Sequence, residues 1–184
     1  MATSTPNQFN LTRAGQRAER KLLVTVAEWL EGTTVKRDIL GTRTEDSSVE
    51  YNAEINTTTD IRGNNYTDVD RTQPQQDFDP YLILGQSKLG ALLNDIRSRN
   101  ALSELDQFTC YIITMFVDGG GTGANKGYQA EKHTDCTITY NSIGGDSNVN
   151  MPISVYFSNK LTRGWVDKIA EDFVFEADQS MVNN

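Results

Sequence analysis

The sequence predicts a mainly β fold with one α-helix (α+β): two packed antiparallel sheets forming a β-sandwich or partly open barrel, with the helix on one side. Apolar and polar residues alternate in residues 48–58 and again in 149–157, which is the period of a strand with one covered face. Residues 108–117 are nearly all apolar or small, as in a strand covered on both faces. Only residues 87–96 have the spacing of a convincing amphipathic helix.

The chain ends are polar. Residues 1–20 have no sustained periodicity and are predicted to be a flexible N-terminal arm. Residues 179–184 are a short polar tail. Between them, residues 21–178 are predicted to form a single β domain. Its first strand is expected at residues 21–30, with a short helix as the alternative, and a returning strand follows Gly32.

The clearest alternation lies in residues 48–58. The apolar residues at every second position are expected to point into the core: Val49, Tyr51, Ala53 and Ile55. The opposite face of the same strand is acidic and polar, and it carries Glu50, Asn52, Glu54 and Asn56.

Residues 60–80 show no regular apolar face. A loop of about twenty structureless residues is unusual inside a compact domain. We therefore interpret this segment as an arm that docks on another subunit. The candidate arm residues are the large apolar side chains spaced along it and just after it: Ile61, Tyr66, Val69, Phe78 and Tyr81.

The helix begins after Ser87, a residue type that caps helix N-termini. The apolar residues that follow recur at helical spacing, so they are expected to form the packed face of a flanking helix. They are Leu89, Leu92, Leu93 and Ile96.

The second half of the domain is predicted to be strands joined by glycine-rich turns. Residues 119–127 are expected to form a hairpin connection, and residues 128–140 the strand that follows. Pro152 within the next alternating segment indicates an edge strand or a bulge. Phe173 and Phe175 mark a last strand.

Composition narrows the function classes. The formal net charge is −8, which argues against a sequence-specific nucleic-acid reader, because such proteins neutralise phosphates with basic residues. Acidic solubility is the plain interpretation, although like charge also lets DNA pass a surface without adhering. Cys110 and Cys136 are too few for a disulfide framework, so buried reduced thiols and synthesis in the cytosol are expected. No apolar stretch is long enough to span a bilayer.

No catalytic, metal or cofactor motif stands out. The run Gly119–Gly123 lacks the Lys-Ser/Thr of a phosphate-binding loop. His133 is expected at the surface, facing away from Cys136, so a zinc site is disfavoured. Asp68 and its acidic neighbours lack the pattern of a calcium loop. We therefore expect neither an enzyme nor a cofactor-binding protein.

Several runs resemble the major tail proteins, or tail tube proteins, of siphophages from Gram-positive hosts. The resemblance covers roughly residues 35–178. The runs that carry it are Thr59–Gly63, Asn65–Asp70, Pro74–Tyr81, Ser87–Leu89, Gly144–Gly145 and Val149–Ile153. The glycines of residues 119–127 depart from the family pattern.

The resemblance implies the tail tube fold and a structural role in the virion tail. In this family, homohexameric rings stack into a tube through which genome DNA passes without sequence-specific binding. The long loop and the arms bridge subunits and rings, and tape measure, tail terminator and distal tail proteins are the expected partners. Six copies would carry six times −8, or −48. The polar face containing Glu50 and Glu54 is the candidate lumen wall, with outside solvent as the alternative.

Two other function classes stay open. The first is the inner tube of a contractile tail, a tailocin or a related injection device, which a neighbouring sheath gene would indicate. The second is a soluble ligand-binding β-sandwich, which needs a concave aromatic pocket, whereas the tyrosines and tryptophans here are scattered along the chain.

Overall fold

The computed structural model describes residue 11 and residues 15–44, 47–71, 73–85, 87–118 and 127–178. This part of the chain contains one α-helix, α1 (Lys88–Arg99), and eleven strands. The strands are β1 (Leu23–Glu31), β2 (Thr34–Ile39), β3 (Val49–Glu50), β4 (Glu54–Thr59), β5 (Asn65–Arg71), β6 (Gln75–Phe78), β7 (Phe108–Asp118), β8 (Tyr128–Tyr140), β9 (Ile153–Tyr156), β10 (Leu161–Val166) and β11 (Phe175–Ala177). The predicted class, mainly β with one helix and antiparallel sheets, is confirmed. The expected polar tail, most of the expected N-terminal arm and most of the glycine-rich connection lie outside the described residues.

Nine of the strands form one sheet in the order β2-β1-β7-β8-β9-β6-β3, and β10 joins it by pairing with β8 and β11. Strand β8 is shared by two halves of this sheet. Its residues 128–133 pair with β10, and its residues 137–140 pair with β9. Because β8 pairs with strands of both halves, the chain passes from one half to the other within this single strand.

The two halves face each other across the larger apolar cluster, which agrees in coarse outline with a sandwich or partly open barrel. Trp29 and Phe108 meet edge to face in this cluster, with ring centroids 6.4 Å apart. Helix α1 covers one side of the cluster, and Ser87 caps it by accepting a hydrogen bond from the Gly90 amide. On the packed face of α1, three side chains are buried and one is partly buried: Leu89, Leu93, Ile96 and Leu92, respectively.

Strand β7 has both faces covered, as its unbroken apolar run predicts. Ile112 lies in the larger cluster, whereas Tyr111 and Ile113 lie in a second cluster on the opposite face. The segment leading to β11 covers that second face, and Phe173 packs edge to face on Tyr111 at 4.9 Å between ring centroids. Burial on both faces accounts for the near absence of polar residues in this strand.

The prediction of a single strand at residues 48–58 is wrong. β3 ends at Glu50, and β4 starts only at Glu54 in a different sheet. Asn52, between them, has a left-handed backbone with φ of 35°, and Ile55 is 60% exposed. Alternation places side chains on one face of a strand, but it does not determine whether anything covers that face.

The prediction of an irregular arm at residues 60–80 is also wrong, because this segment contains two strands. β5 pairs with β4 in a hairpin, and β6 is inserted between β9 and β3 in the main sheet. Threonine, asparagine and aspartate dominate β4 and β5. Their low hydrophobicity hides the strands from a search for apolar alternation.

Two further strand boundaries differ from the prediction. The first strand was expected at residues 21–30, and it is β1, which begins two residues later at Leu23. The alternative of a short helix is found only as the 3-10 turn Arg20–Leu22 that precedes β1. The strand expected at residues 149–157 is β9, which is shorter, and Val149 before it is 54% exposed.

Candidate assembly surface on the β4–β5 hairpin

Strands β4 and β5 form a two-stranded sheet that pairs with none of the other nine described strands. The register places Ile55 opposite Val69 and Thr57 opposite Thr67. Opposite residues in an antiparallel pair share a face. One face of the hairpin therefore carries a row of β-branched residues, which we call the β-branched face: Ile55, Thr57, Thr59, Thr67 and Val69.

The whole β-branched face is exposed. Ile55 is 60% and Val69 61% accessible in the single chain. Covering a valine or isoleucine side chain fully contributes about 1.5–3 kcal/mol, and an isolated two-stranded hairpin is marginally stable in water. The hairpin therefore has apolar surface that its own chain leaves uncovered.

The tip of the hairpin is ordered by one carboxylate. Asp60 accepts hydrogen bonds from the backbone amides of Arg62 and Asn64 at 2.8 and 2.9 Å, and from the Asn64 side chain at 3.0 Å. The Tyr66 hydroxyl donates to it as well, at 3.2 Å. These donors, the Asn64 amide foremost, lower the pKa of Asp60 below its ordinary value of 3.8. Ile61 therefore stands on an ordered turn although its side chain is fully exposed.

The base of the hairpin lies beside the main sheet. Asn52 donates its side-chain amide to the Gln73 carbonyl at 3.3 Å. Burial of the Tyr51 ring and the nearby Glu131 carboxylate raise the pKa of Tyr51, whereas Arg163 lowers it. These contacts orient the start of the hairpin, while β4 and β5 themselves extend away from the sheet.

Three of the five predicted arm residues lie on the hairpin and are exposed. They are Ile61 at the tip, Tyr66 at 53% exposure and Val69. The prediction is wrong for Phe78 and Tyr81, which are 1% and 6% exposed in the core of their own chain. β6 lies between β9 and β3 in the main sheet, and the Phe78 side chain packs in the larger apolar cluster. The Tyr81 hydroxyl lies 2.9 Å from Ser87 Oγ.

The four predicted lumen residues do not form one polar face, so that geometric prediction is wrong. Glu50 lies on β3 in the main sheet, and Asn52 lies in the link that follows. Glu54 and Asn56 lie on β4, with Asn56 on the hairpin face opposite Ile55. The break after Glu50 separates residues that a continuous strand would have kept together.

Sequence reasoning missed Asp60, Thr57 and Thr67 as parts of this surface. A usable signal was present, since Asp60 and Gly63 flank a turn between two threonine-containing segments. Gly63 has φ of 84°, and its amide donates to the Asp60 carbonyl at 3.0 Å. The turn residues indicate a hairpin more directly than the strands do.

His133 is not at the surface, contrary to the prediction. It is 4% exposed, and its Nδ1 lies 2.9 Å from the Ser158 carbonyl oxygen. The register between β7 and β8 shifts near it, with Cys110 opposite His133 but Phe108 opposite Cys136. The extra β8 residue is why His133 and Cys136 are both buried rather than facing opposite sides. Among the described residues, no group of three or more His, Cys, Asp or Glu side chains is placed to hold a metal ion.

No protein-family model matches the chain, and no curated protein matches it significantly. In the part of the chain that the structure describes, no helix is long and apolar enough to cross a membrane.

Proposed function

We propose that the chain is a structural protein of a phage virion tail, in which hexameric rings stack into the tube that conducts genome DNA. The resemblance of its sequence to siphophage tail tube proteins suggests this role. Its mainly β architecture with one helix supports the proposal, because that is the coarse architecture the resemblance implies. The inner tube of a contractile tail remains the alternative, since it would use the same kind of subunit.

The observation that carries the proposal is the hairpin. Its β-branched face is exposed along its length, and its tip places Ile61 in solvent on an ordered turn. A second copy is the natural partner in a self-assembling ring, because a head-to-tail ring repeats one contact between every pair of neighbouring subunits. Contact between copies would cover apolar side chains that a single chain leaves in water.

The edges of the main sheet support the same proposal. In the described part of the chain, the strand order ends at β2 and at the two-residue strand β3, and the branch through β10 ends at β11. Unpaired edges invite pairing with other chains. Closure into a ring would satisfy them in a defined way and would leave the tube free to grow by stacking.

The test is assembly of the purified chain, followed by light scattering and negative-stain electron microscopy. We expect rings or tubes from the wild type. We expect Val69→Lys to abolish them, because it places a charge in the β-branched face. The matched control, Thr58→Lys, adds the same charge to the opposite face of the hairpin and should still assemble.

A wild-type chain that stays monomeric at high concentration would overturn the proposal. If wild type and both variants all assemble equally, the tube survives but the hairpin is not its main contact. Circular dichroism of the variants separates loss of assembly from loss of folding.

A further inference from the structure

A cleft opens beside the start of the hairpin, and residues of β1, β3, β7 and β8 line it. Its volume is about 380 Å³, which lies in the range of ligand-binding clefts, about 300–1,000 Å³. Four side chains form its apolar wall: Leu23, Val49, Ile112 and Phe116. Among the described residues that line it, Glu131 supplies the carboxylate. We call this feature the base cleft.

Glu131 has no Lys or Arg partner among the described residues. Its side chain is 22% exposed, and its Oε2 lies 4.0 Å from His133 Nε2. His133 Nδ1 lies 2.9 Å from the Ser158 carbonyl oxygen, which can only accept, so Nε2 of the neutral ring carries no proton to donate. Consistent with this, His133 Nε2 is buried without a hydrogen-bond partner in the described part of the chain. A partly buried carboxylate that lacks a partner favours the arrival of a cation.

Two arginines near the base cleft are used elsewhere or point outward. The Arg20 guanidinium donates to the carbonyl oxygens of Ser47 and Leu23. Arg163 lies opposite Glu131 in the register of β8 and β10, but Arg163 is exposed and is not within ion-pair distance of Glu131. The Glu131 carboxylate therefore remains available to a cation from another molecule.

The tip of the hairpin carries the two groups that the base cleft lacks. Ile61 is fully exposed, and the neighbouring Arg62 is exposed and forms no ion pair with another described residue. Asp60 holds the turn in shape by accepting from the Arg62 and Asn64 amides. An apolar side chain and a cation thus stand next to each other on an ordered turn.

We propose that the base cleft receives the hairpin tip of a second copy of this chain, with Ile61 against the apolar wall and Arg62 paired with Glu131. The inference rests on the tail-tube proposal and names the surface on which the hairpin docks. Contact would cover an isoleucine that is otherwise in water and would give a partly buried carboxylate its cation.

The position of the two surfaces requires a second copy. Val49 and Tyr51 line the base cleft at one end of the hairpin, and Ile61 lies at the other end of β4. The six residues of β4 extend about 20 Å at about 3.3 Å per residue, so a paired hairpin does not bring its tip back to its own base. Each copy therefore offers one tip and one cleft, which is a head-to-tail contact that can close into a ring.

Charge reversal tests the contact in the full-length chain. Arg62→Glu and Glu131→Arg each place like charges together when the variant assembles with itself. We expect each variant alone to raise the protein concentration needed for assembly by about tenfold or more, measured by light scattering. Arg97→Glu, which reverses an exposed charge on α1, should assemble as the wild type does. An equal loss in Arg97→Glu would overturn the inference, because net charge alone would then explain the effect.

Mixing the two variants is the sharper test. In an alternating assembly of Arg62→Glu and Glu131→Arg, every tip meets a cleft of opposite charge. We expect the equimolar mixture to assemble within about threefold of the wild-type concentration. If the wild type assembles but the mixture does not, this inference fails and the tail-tube proposal stands. A wild type that stays monomeric would overturn both.

A disulfide crosslink provides a readout that does not depend on the folding of Glu131→Arg. Ser48 is exposed and lines the base cleft. Ile61→Cys, mixed with a tagged Ser48→Cys chain and oxidised during assembly, should give a crosslinked heterodimer on a non-reducing gel. Ser103→Cys, exposed outside the cleft, should give none in place of Ser48→Cys. If circular dichroism shows that Glu131→Arg is unfolded, the crosslink decides, and its absence from assembled protein would overturn the inference.

Discussion

Asp38 joins strand β2 to the start of helix α1. Its Oδ2 accepts a hydrogen bond from the Leu89 amide at 3.0 Å, and the Ser87 hydroxyl lies 3.4 Å away. Helix N-termini have unpaired amides and a partial positive charge, so a carboxylate is favourable there. Burial opposes the charge, however, and raises the pKa of Asp38 above its ordinary value of 3.8.

Asp38→Asn tests the sign of this effect. Because the folded-state pKa is raised, the folded chain binds more protons than the unfolded chain between the two pKa values. The contribution of Asp38 to the free energy of unfolding is therefore fully present below 3.8 and is lost as pH rises through the folded pKa. We expect the wild type to lose stability relative to Asp38→Asn across this window, by less than about 1.4 kcal/mol for each unit of pKa shift, because solvent screens a partly buried carboxylate.

Urea unfolding of both proteins from below 3.8 to neutral pH provides the measurement. Asp106→Asn, which removes an exposed carboxylate, is the control. A stability difference between the wild type and Asp38→Asn that is independent of pH, or that changes in the opposite direction, would contradict the assignment.

At the scale of elements, the β4–β5 hairpin is ordered although its side chains are not buried. Its strands and tip are held by hydrogen bonds, while its side chains remain in water. Asp60 is the centre of the tip, because its carboxylate accepts from the amides of Arg62 and Asn64. An interaction surface benefits from such preorganisation, since less conformational entropy is lost on contact.

Acidification should loosen the tip. The pKa of Asp60 is lowered in the folded hairpin, so its contribution is present above the unfolded-state pKa of 3.8 and is lost as pH falls through the lower folded value. We expect amide hydrogen exchange at Asn64 to accelerate in that range, after correction for the intrinsic effect of pH. Asp60→Ala should show the fast exchange already at neutral pH.

A second readout at neutral pH is tryptic cleavage after Arg62, which should be faster in Asp60→Ala than in the wild type. Asp68→Ala, on the opposite strand of the hairpin, serves as the control. Equal cleavage rates in all three proteins would show that Asp60 does not order the turn.

At the scale of the whole molecule, a buried polar bridge links the two halves of the sheet. The Thr25 hydroxyl on β1 donates to the Gln76 side-chain carbonyl on β6 at 2.6 Å. Gln76 in turn donates to the Ser47 hydroxyl at 3.0 Å, and Ser47 donates to the Asp77 carbonyl at 2.7 Å. Buried polar groups favour one alignment of the two packed halves of the sheet, because other alignments would leave their donors and acceptors without hydrogen-bond partners.

Thr25→Val keeps the shape of the side chain but removes the donor to Gln76. Thr25 and Gln76 are 3% and 1% exposed, so water cannot easily replace the lost bond. We expect the free energy of unfolding to fall by about 1–3 kcal/mol, measured by chemical denaturation. Thr34→Val on the exposed start of β2 should change it by no more than about 0.5 kcal/mol. Equal effects at the two sites would contradict a structural role for the bridge.

Part of the exposed surface of the hairpin was predictable from the sequence. Ile61, Tyr66 and Val69 were predicted to lie on an arm, because apolar residues in a polar segment need a partner, and all three are exposed on the hairpin. Phe78 and Tyr81 belong to the same stretch of sequence, yet they are buried in their own chain. No local pattern separates these two groups, since the difference depends on which strands pair with β6.

The sequence alone determined the class of the fold, the capped helix after Ser87 and the covering of both faces of β7. These features follow from local periodicity and from side-chain polarity, which act within a few residues. Only the tertiary structure decided that the alternating residues of β4 stay in solvent and that the bulge near Asp135 turns His133 and Cys136 inward. Burial is a property of two surfaces, so one strand's pattern cannot specify it without its partner.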